Sequence, residues 1–186
     1  MAYLGAPLFN QLLYISYKAL GISLYSARIP SVISFWLILI LFFLLLKRRF
    51  GTKKALFSTF LFGFMHEMLM YVKWSTPVIL ELCFLLAIIY FYELGIINRS
   101  RLYFLFSGIS YSLAILSKLT SILFVIPLIL FFTLEIYFKR CDVKILTWFI
   151  CGFSFVMAPF MLLFVSKNWH MYIHMFQNYA EGARDY

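Results

Sequence analysis

The sequence predicts an all-α fold, a polytopic transmembrane helix bundle of about six spans with one amphipathic juxtamembrane helix on its outer side. Two observations predict this class. Hydrophobic residues make up 65% of the chain and charged residues 12%, whereas ordinary soluble domains have roughly 45–50% and about 25%. The apolar residues also fall into runs of about membrane-spanning length, which are 30–46, 55–72, 77–95, 102–117, 121–138 and 145–166.

The positive charges between these runs alternate between clusters and single residues. Ten of the sixteen Lys and Arg residues form three clusters: Lys47, Arg48, Arg49, Lys53 and Lys54, then Arg99 and Arg101, then Lys139, Arg140 and Lys144. The remaining breaks hold the single cations Arg28, Lys73, Lys118 and Lys167. Because Lys and Arg collect in cytoplasmic loops, the alternation predicts a multi-pass membrane protein with its single cations outside.

The net charge of +9 follows from the same topology. Basic loops beside a bilayer attract anionic headgroups, so we expect membrane lipids as partners and no nucleic acid. The three cysteines suggest no disulfide, since Cys83 and Cys151 lie inside apolar runs and Cys141 lies in a predicted cytoplasmic loop.

Residues 7–20 form the first predicted element. Pro7 suits the first position of a helix, and Gly21 suits the position just past its end. One side of the helix gathers Asn10, Gln11, Tyr14 and Lys18, and another gathers Leu8, Leu12, Ile15 and Ala19. Such a helix is too short and too polar to span, so we expect it to lie in the outer interface.

Each of the six apolar runs that follow is predicted to be one helix, because a bilayer leaves no other partner for backbone polar groups. The run 102–117 is short, which predicts that it packs inside the bundle. Residues 167–186 are predicted to form an outer segment, and residues 1–186 a single membrane domain. Tryptophans fall near the predicted span ends, as in an aromatic belt: Trp36, Trp74, Trp148 and Trp169.

Charged side chains at membrane depth cost about 2.5–3.5 kcal/mol each on insertion scales, so each is a candidate for function. Glu81 lies one turn into its run at the outer end, and His66 and Glu67 lie near the outer end of theirs. The single cations mark outer helix ends as well. We therefore expect a cavity open to the outer leaflet that holds both carboxylates and a row of cations, with His66 and Trp74 in its lining.

Structural alternatives exist for most of these residues. The single cations could extend their charged groups to the outer headgroups. Glu67 could pair with Lys73 or His66, whereas Glu81 has no cationic neighbour at helical spacing on its own run. His170 and His174 have an i, i+4 spacing that permits metal binding, but their aromatic neighbours favour an interfacial segment.

Five segments, in this order, resemble motifs of one enzyme family: 6–9 (Ala-Pro-Leu-Phe), 26–31 (Ser-Ala-Arg-Ile-Pro-Ser), 49–51 (Arg-Phe-Gly), 71–77 (Tyr-Val-Lys-Trp-Ser-Thr-Pro) and 112–118 (Ser-Leu-Ala-Ile-Leu-Ser-Lys). These motifs are similar to those of the integral-membrane glycosyltransferases that use polyprenyl-phosphate sugars. That group includes protein O-mannosyltransferases and aminoarabinose transferases and has the GT-C fold. The resemblance covers nearly the whole chain.

The resemblance implies a polyprenyl-phosphate sugar as donor and a glycan, lipid or protein acceptor that attacks at the outer surface. Arg28, Lys73 and Lys118 match the family's basic residues and would bind the donor phosphate. A carboxylate would deprotonate the acceptor, and Glu81 and Glu67 are the candidates. A divalent metal stays open as a cofactor, since no ligand set is identifiable.

The chain also departs from the family pattern. The acidic residues of the family's first outer loop would precede Ala6, and its Asp after Thr-Pro falls on Val78. Glu81, three residues further along the same helix face, could replace that Asp. We therefore expect a piece of such an enzyme, truncated at both ends, whose base is Glu67, Glu81 or a residue of the missing loop.

Two other classes stay open. One is a catalytically inactive membrane protein that binds lipid-linked sugar or helps to assemble a larger complex. The other is a transporter or channel, which would need polar residues along a path through the membrane. The inner halves of the predicted spans carry almost no charge, which disfavours a transport path. The sequence, with this resemblance, therefore favours part of a glycosyltransferase of the plasma (inner) membrane that works at the outer or periplasmic face.

Overall fold

The protein is described by a computed structural model that covers residues 6–137 and 143–166. Within these ranges it consists of helices and short connections, without a β-strand, which confirms the all-α prediction. The α-helices are α1 (Pro7–Leu20), α2 (Leu24–Phe50), α3 (Thr52–Gly63), α4 (His66–Lys73), α5 (Pro77–Asn98), α6 (Arg101–Ser117), α7 (Val125–Tyr137) and α8 (Val143–Phe160). A 3-10 helix (Leu119–Phe124) precedes α7, and a π-helical turn (Met161–Val165) follows α8.

Large apolar side chains point outward from this bundle. Trp36, Phe57 and Phe155, from three different helices, are 60%, 65% and 74% exposed. Three helical segments are long and apolar enough to cross a bilayer: Leu24–Phe50, Pro77–Asn98 and Lys144–Leu163. Apolar surface of this kind suits lipid rather than water. The fold is therefore a membrane helix bundle, as the sequence predicts.

The apolar run 55–72 is not a single straight helix. α3 ends at Gly63 and α4 begins at His66, and the two helices are bent by 55°. Met65 between them has extended backbone angles, with φ −60° and ψ 131°, so the helical hydrogen bonds stop there. The pair counts as a fourth span if it crosses the bilayer as one broken helix.

Two further predicted spans are shorter helices. α6 has 17 residues and would extend about 25 Å, which is less than the hydrocarbon core. It packs against α5 on one side and α8 on the other, so the predicted burial of this short run is confirmed. The predicted run 121–138 begins inside the 3-10 helix and continues as α7. A total of six spans stays a prediction.

α6 and α8 approach each other closely through a pair of glycines. A Cβ atom on Gly108 would lie 2.0 Å from the Phe149 carbonyl oxygen, and one on Gly152 would lie 2.1 Å from the Leu105 carbonyl oxygen. Small residues at such a crossing let two backbones touch, which is how membrane helices gain packing energy. Ser112 adds a hydrogen bond from its hydroxyl to the Phe153 carbonyl, 2.8 Å away.

The amphipathic helix α1 has the bounds that the sequence predicts. Phe9 of α1 packs against Leu80 of α5, which lies beside Glu81. Tyr14 and Ile15, on its other side, are 65% and 60% exposed. α1 therefore covers the start of α5 and presents apolar side chains to the surroundings, as an interfacial helix does.

Among the described residues, the basic clusters and the single cations lie at opposite ends of the bundle. α5 extends about 26 Å from Glu81 to Asn98, next to Arg99, and α6 then returns from Arg101 to Lys118. The ends are called the basic end, which holds Arg99 and Arg101, and the cavity end, which holds Glu81 and Lys118. The predicted outer segment 167–186, with its tryptophan and histidines, lies outside the described residues, as does the predicted loop around Lys139 and Arg140.

Candidate functional site

Glu81 is a carboxylate buried in the first turns of α5. The helix begins at Pro77, whose missing N–H costs nothing at a first helical position, and Glu81 follows about 6 Å along the axis. Its residue surface is only 7% exposed. A buried carboxylate needs charged or hydrogen-bonding partners, because its transfer out of water is costly otherwise.

The chain after α6 supplies those partners. α6 ends at Ser117, Lys118 takes an extended conformation with φ −157° and ψ 123°, and the 3-10 helix then starts at Leu119. Side chains three residues apart lie above one another in a 3-10 helix. Lys118 and Ser121 are three apart, and the Ser121 N–H donates to the Lys118 carbonyl at 3.0 Å. The turn thus aims both side chains towards α5.

Both side chains meet the carboxylate of Glu81. The Ser121 hydroxyl donates a hydrogen bond to Oε1 at 2.5 Å, and Nζ of Lys118 lies 3.8 Å from Oε2. The distance of 3.8 Å is too long for a hydrogen bond, so the Lys118 contact is an attraction between charges. The Lys118 side chain is 37% exposed, whereas that of Glu81 is 9% exposed. The ammonium therefore remains reachable by a second anion.

A cavity of about 390 Å³ opens at this pair. Glu81 and Lys118 provide the charged part of its lining, with Thr120 and Tyr71 as further polar residues. The apolar lining comes from α4, α5 and the 3-10 helix: Met68, Val78, Ile79, Leu82, Leu85, Leu123 and Phe124. Cavities between helices with few polar groups in an apolar wall are the usual form of small-molecule sites.

Arg28 and Lys73 form a second pair at the same end of the bundle. Nε of Arg28 donates to the backbone carbonyl of Lys73 at 3.0 Å, and the Ser75 hydroxyl donates to the carbonyl of Ala27. These bonds tie the start of α2 to the connection between α4 and α5. The Lys73 side chain is exposed. Lys73 thus lies a few residues before α5, and Arg28 is bonded to its backbone from the start of α2.

The other predicted site residues lie on the surface. His66, Glu67 and Trp74 are exposed, with Trp74 at 64%, and they are outside the lining of the 390 Å³ cavity. Arg28 and Lys73 are outside that lining as well. The structure therefore brings Glu81 together with Lys118, and Arg28 together with Lys73. The predicted gathering of all these groups in one cavity stays a prediction.

Within residues 6–137 and 143–166, no group of three or more His, Cys, Asp and Glu side chains is arranged to hold a metal ion. The charged groups of the site are one carboxylate and one ammonium. This arrangement can hold an anion at Lys118 and can accept a proton at Glu81.

Comparison with known proteins adds the family. A family model described as dolichyl-phosphate-mannose-protein mannosyltransferase matches residues 5–165. The chain belongs to this mannosyltransferase family. No curated protein and no solved structure matches the chain. The family match confirms the resemblance to the integral-membrane glycosyltransferases with the GT-C fold.

Family membership accounts for the motif order of the chain, but Ser121 was not a predicted site residue. Ser121 is the first residue of the apolar run 121–138, and a single hydroxyl at that position does not by itself indicate a functional site. The available signal was its spacing of three from Lys118, which acquires meaning only with a 3-10 turn between them. In this mannosyltransferase-family chain, the turn after α6 therefore contributes two groups to the site where sequence reasoning named one.

Proposed function

We propose that this chain carries the donor site of a membrane glycosyltransferase that uses a polyprenyl-phosphate sugar at the outer face of the membrane. One observation supports it above all: Glu81 and Lys118 meet in a cavity at the end of the bundle opposite the basic clusters. In a protein of the dolichyl-phosphate-mannose-protein mannosyltransferase family, that pair offers a base and a phosphate-binding cation together.

The donor phosphate would lie against Lys118. Its ammonium is 3.8 Å from the carboxylate and partly exposed, so an incoming phosphate can take its hydrogen bonds without displacing an existing one. Arg28 and Lys73 lie near the start of α5 and would attract the phosphate from the rim. Their charges would also stabilise the phosphate as it leaves, because negative charge grows on it in the transition state.

The transfer step balances with Glu81 as base. The acceptor hydroxyl oxygen would form a bond to the anomeric carbon of the sugar while the bond from that carbon to the phosphate oxygen breaks. The hydroxyl proton would move to the Glu81 carboxylate, and the polyprenyl phosphate would leave with the bonding electron pair. Phosphate binding at Lys118 would weaken the hold of Lys118 on Oε2 and so free that oxygen for the proton.

We assign the base role to Glu81 rather than Glu67. Glu67 lies in the first turn of α4 and is exposed, outside the cavity lining. Glu81 is buried beside the only cation of the described cavity lining, where a proton acceptor and a leaving phosphate would be adjacent.

A second candidate function is binding of lipid-linked sugar without catalysis. The observation in its favour is that the Glu81 carboxylate is already engaged, by Ser121 on one oxygen and Lys118 on the other. In that case Glu81 would hold Lys118 in place for the phosphate and would accept no proton.

The two candidates differ in the effect of Glu81→Gln. The assay follows release of polyprenyl phosphate from polyprenyl-phosphate mannose in vesicles that contain the full chain and a membrane extract as acceptor source. We expect E81Q to lower release by about 10²–10⁴-fold while donor binding persists, as loss of a general base does. Lys118→Ala should instead weaken donor binding. Glu67→Gln is the matched control and should leave release unchanged.

Each outcome decides between the candidates. Release by E81Q at the wild-type rate would exclude the base role. No release by the wild type, together with saturable donor binding that K118A abolishes, would support the binding function. If K118A binds the donor as tightly as the wild type does, the phosphate assignment is wrong.

A further inference from the structure

A second and larger cavity lies towards the basic end of the bundle. Its volume is about 830 Å³, and its walls come from α2, α5, α6, the 3-10 helix and α7. Most of the wall is apolar: Leu85, Ile88, Ile89, Ile96, Pro127 and Leu128 are representative. It shares Leu85 and Phe124 with the smaller cavity but does not include Glu81 or Lys118. The function proposed above does not use it.

The cavity opens at the side of the bundle, on a surface that we expect to face lipid. Ile89, Ile97 and Phe131 of its lining are 50%, 64% and 41% exposed. α7 reaches its neighbours through long aromatic side chains: the ring of Tyr92 on α5 lies 4.9 Å from that of Phe131 and 5.6 Å from that of Phe132. Such contacts leave room between the α5 and α7 backbones, and that room suits a hydrocarbon chain.

The two cations of the lining, Arg48 and Arg49, lie at the end of α2. Arg49 is ion-paired with Glu93. Arg48 has no carboxylate within ion-pair distance among the described residues, and its guanidinium carbon lies 4.9 Å from the centre of the Tyr90 ring. A cation over an aromatic face keeps its N–H donors free at the edges. Glu135 of α7 also lines the cavity.

We propose that this cavity binds an anionic glycerophospholipid from the leaflet at the basic end, with the phosphate on Arg48 and an acyl chain between α5 and α7. Three features carry the choice of occupant. Most of the wall is apolar, the Arg48 guanidinium of the lining has no carboxylate within ion-pair distance among the described residues, and the surrounding loops are basic. Anionic lipids are enriched in the cytoplasmic leaflet, where Lys and Arg clusters lie.

A phospholipid fits better than the tail of the sugar donor. A donor with its phosphate at Lys118 has its anionic group at the cavity end of the bundle, and it would leave Arg48 without an anion. Glu81 lines the smaller cavity near the start of α5, and Arg48 lines the larger cavity, which reaches Ile97 near the end of α5. α5 extends about 26 Å between Glu81 and Asn98, so the two charged groups lie at opposite ends of the bundle. We therefore expect Arg48 to bind a second ligand, other than the sugar donor, that has its own negative charge.

The test measures lipid retention by the purified full chain. The protein in detergent is mixed with equal amounts of phosphatidylglycerol and phosphatidylcholine of the same acyl chains, and native mass spectrometry counts the bound lipids. We expect about tenfold preferential retention of phosphatidylglycerol, because its headgroup has a net negative charge, whereas the choline cation of phosphatidylcholine neutralises the charge of its phosphate. Arg48→Gln should abolish the preference, and Lys54→Gln, an exposed cation outside the lining, should preserve it.

A second variant tests the apolar part. Leu128→Trp adds volume inside the cavity and leaves every charge in place, so it should reduce retention of both lipids. Equal retention of the two lipids by the wild type would overturn the proposal, as would equal losses in R48Q and K54Q. Displacement of phosphatidylglycerol by polyprenyl phosphate, to the same extent in wild type and R48Q, would show that the cavity holds the donor tail and would also overturn it.

Discussion

At the scale of single residues, the buried carboxylate of Glu81 has the strictest requirements. The residue is 7% exposed, and its carboxylate depends on two partners from one turn, the Lys118 ammonium and the Ser121 hydroxyl. Removal of one partner from a buried charge costs more than the bond itself is worth, because the other group then stays desolvated and unpaired. Ser121 should therefore matter to stability as well as to the position of the carboxylate.

Ser121→Ala tests this dependence. We expect a loss of about 1–3 kcal/mol in the free energy of unfolding, the range for an unsatisfied buried acceptor. The cost should shrink in a Glu81→Gln background, where the acceptor carries no charge. Ser117→Ala is the control, because its hydroxyl bonds only to the Leu113 carbonyl of its own helix. Unfolding in a denaturing detergent series measures the free energy of unfolding of S121A, of S121A in the E81Q background and of S117A. Equal losses in S121A and S117A would contradict the expectation.

The sequence predicts part of this site at the residue scale. Glu81 can be named in advance because a charged residue in an apolar run requires a reason, and Lys118 because it is a single cation in the break between two runs. Their contact could not be predicted, since it depends on a 3-10 turn that hydropathy does not record. The contact of Arg28 could not be predicted either. Its Nε donates to the backbone carbonyl of Lys73, and every residue has such a carbonyl, so the sequence does not indicate which one is the partner.

At the scale of elements, the break between α3 and α4 marks a limit of sequence reading. The run 55–72 is mostly apolar and has the length of one span, so it predicts one helix. Gly63 and the polar pair His66 and Glu67 are the only local signs of the bend, and each also occurs inside straight membrane helices. Backbone geometry at Met65, rather than hydropathy, ends the first helix.

The junction of α1 and α2 depends on a proline in the helix interior. Pro30 has no N–H, so the Ser26 carbonyl loses its partner within α2. The hydroxyl of Ser16, on α1, donates to that carbonyl at 2.5 Å, and Ser26 itself is only 1% exposed. The proline thus creates an acceptor that fixes the position of the amphipathic helix.

A double-mutant cycle tests this link. Ser16→Ala should cost about 1–3 kcal/mol in the free energy of unfolding, because it leaves the buried Ser26 carbonyl unpaired. Pro30→Ala restores an N–H for that carbonyl, so S16A should cost much less in the P30A background. Ser110→Ala, which removes a hydroxyl bonded within its own helix, should cost the same in both backgrounds. Full additivity of S16A and P30A would show that the two residues are independent.

At the scale of the whole molecule, charge divides the bundle into two ends with different ligands. Basic clusters and the larger cavity lie at one end, and the Glu81–Lys118 pair with the smaller cavity lies at the other. The sequence predicts this division because the distribution of Lys and Arg among the loops indicates on which side of the membrane each loop lies. It does not predict the cavities, which depend on how far α7 stands from α5.

The orientation of these ends is the last prediction. If the positive-inside rule holds, a cysteine at position 22 faces the outside and one at position 54 faces the cytoplasm. Ile22 is 92% exposed between α1 and α2, and Lys54 lies in the first turn of α3. In a chain whose own cysteines are replaced by alanine, a membrane-impermeant maleimide should label Ile22→Cys in intact cells and Lys54→Cys only after permeabilisation. The reverse pattern would place the Glu81–Lys118 cavity on the cytoplasmic side and exclude sugar transfer at the outer face.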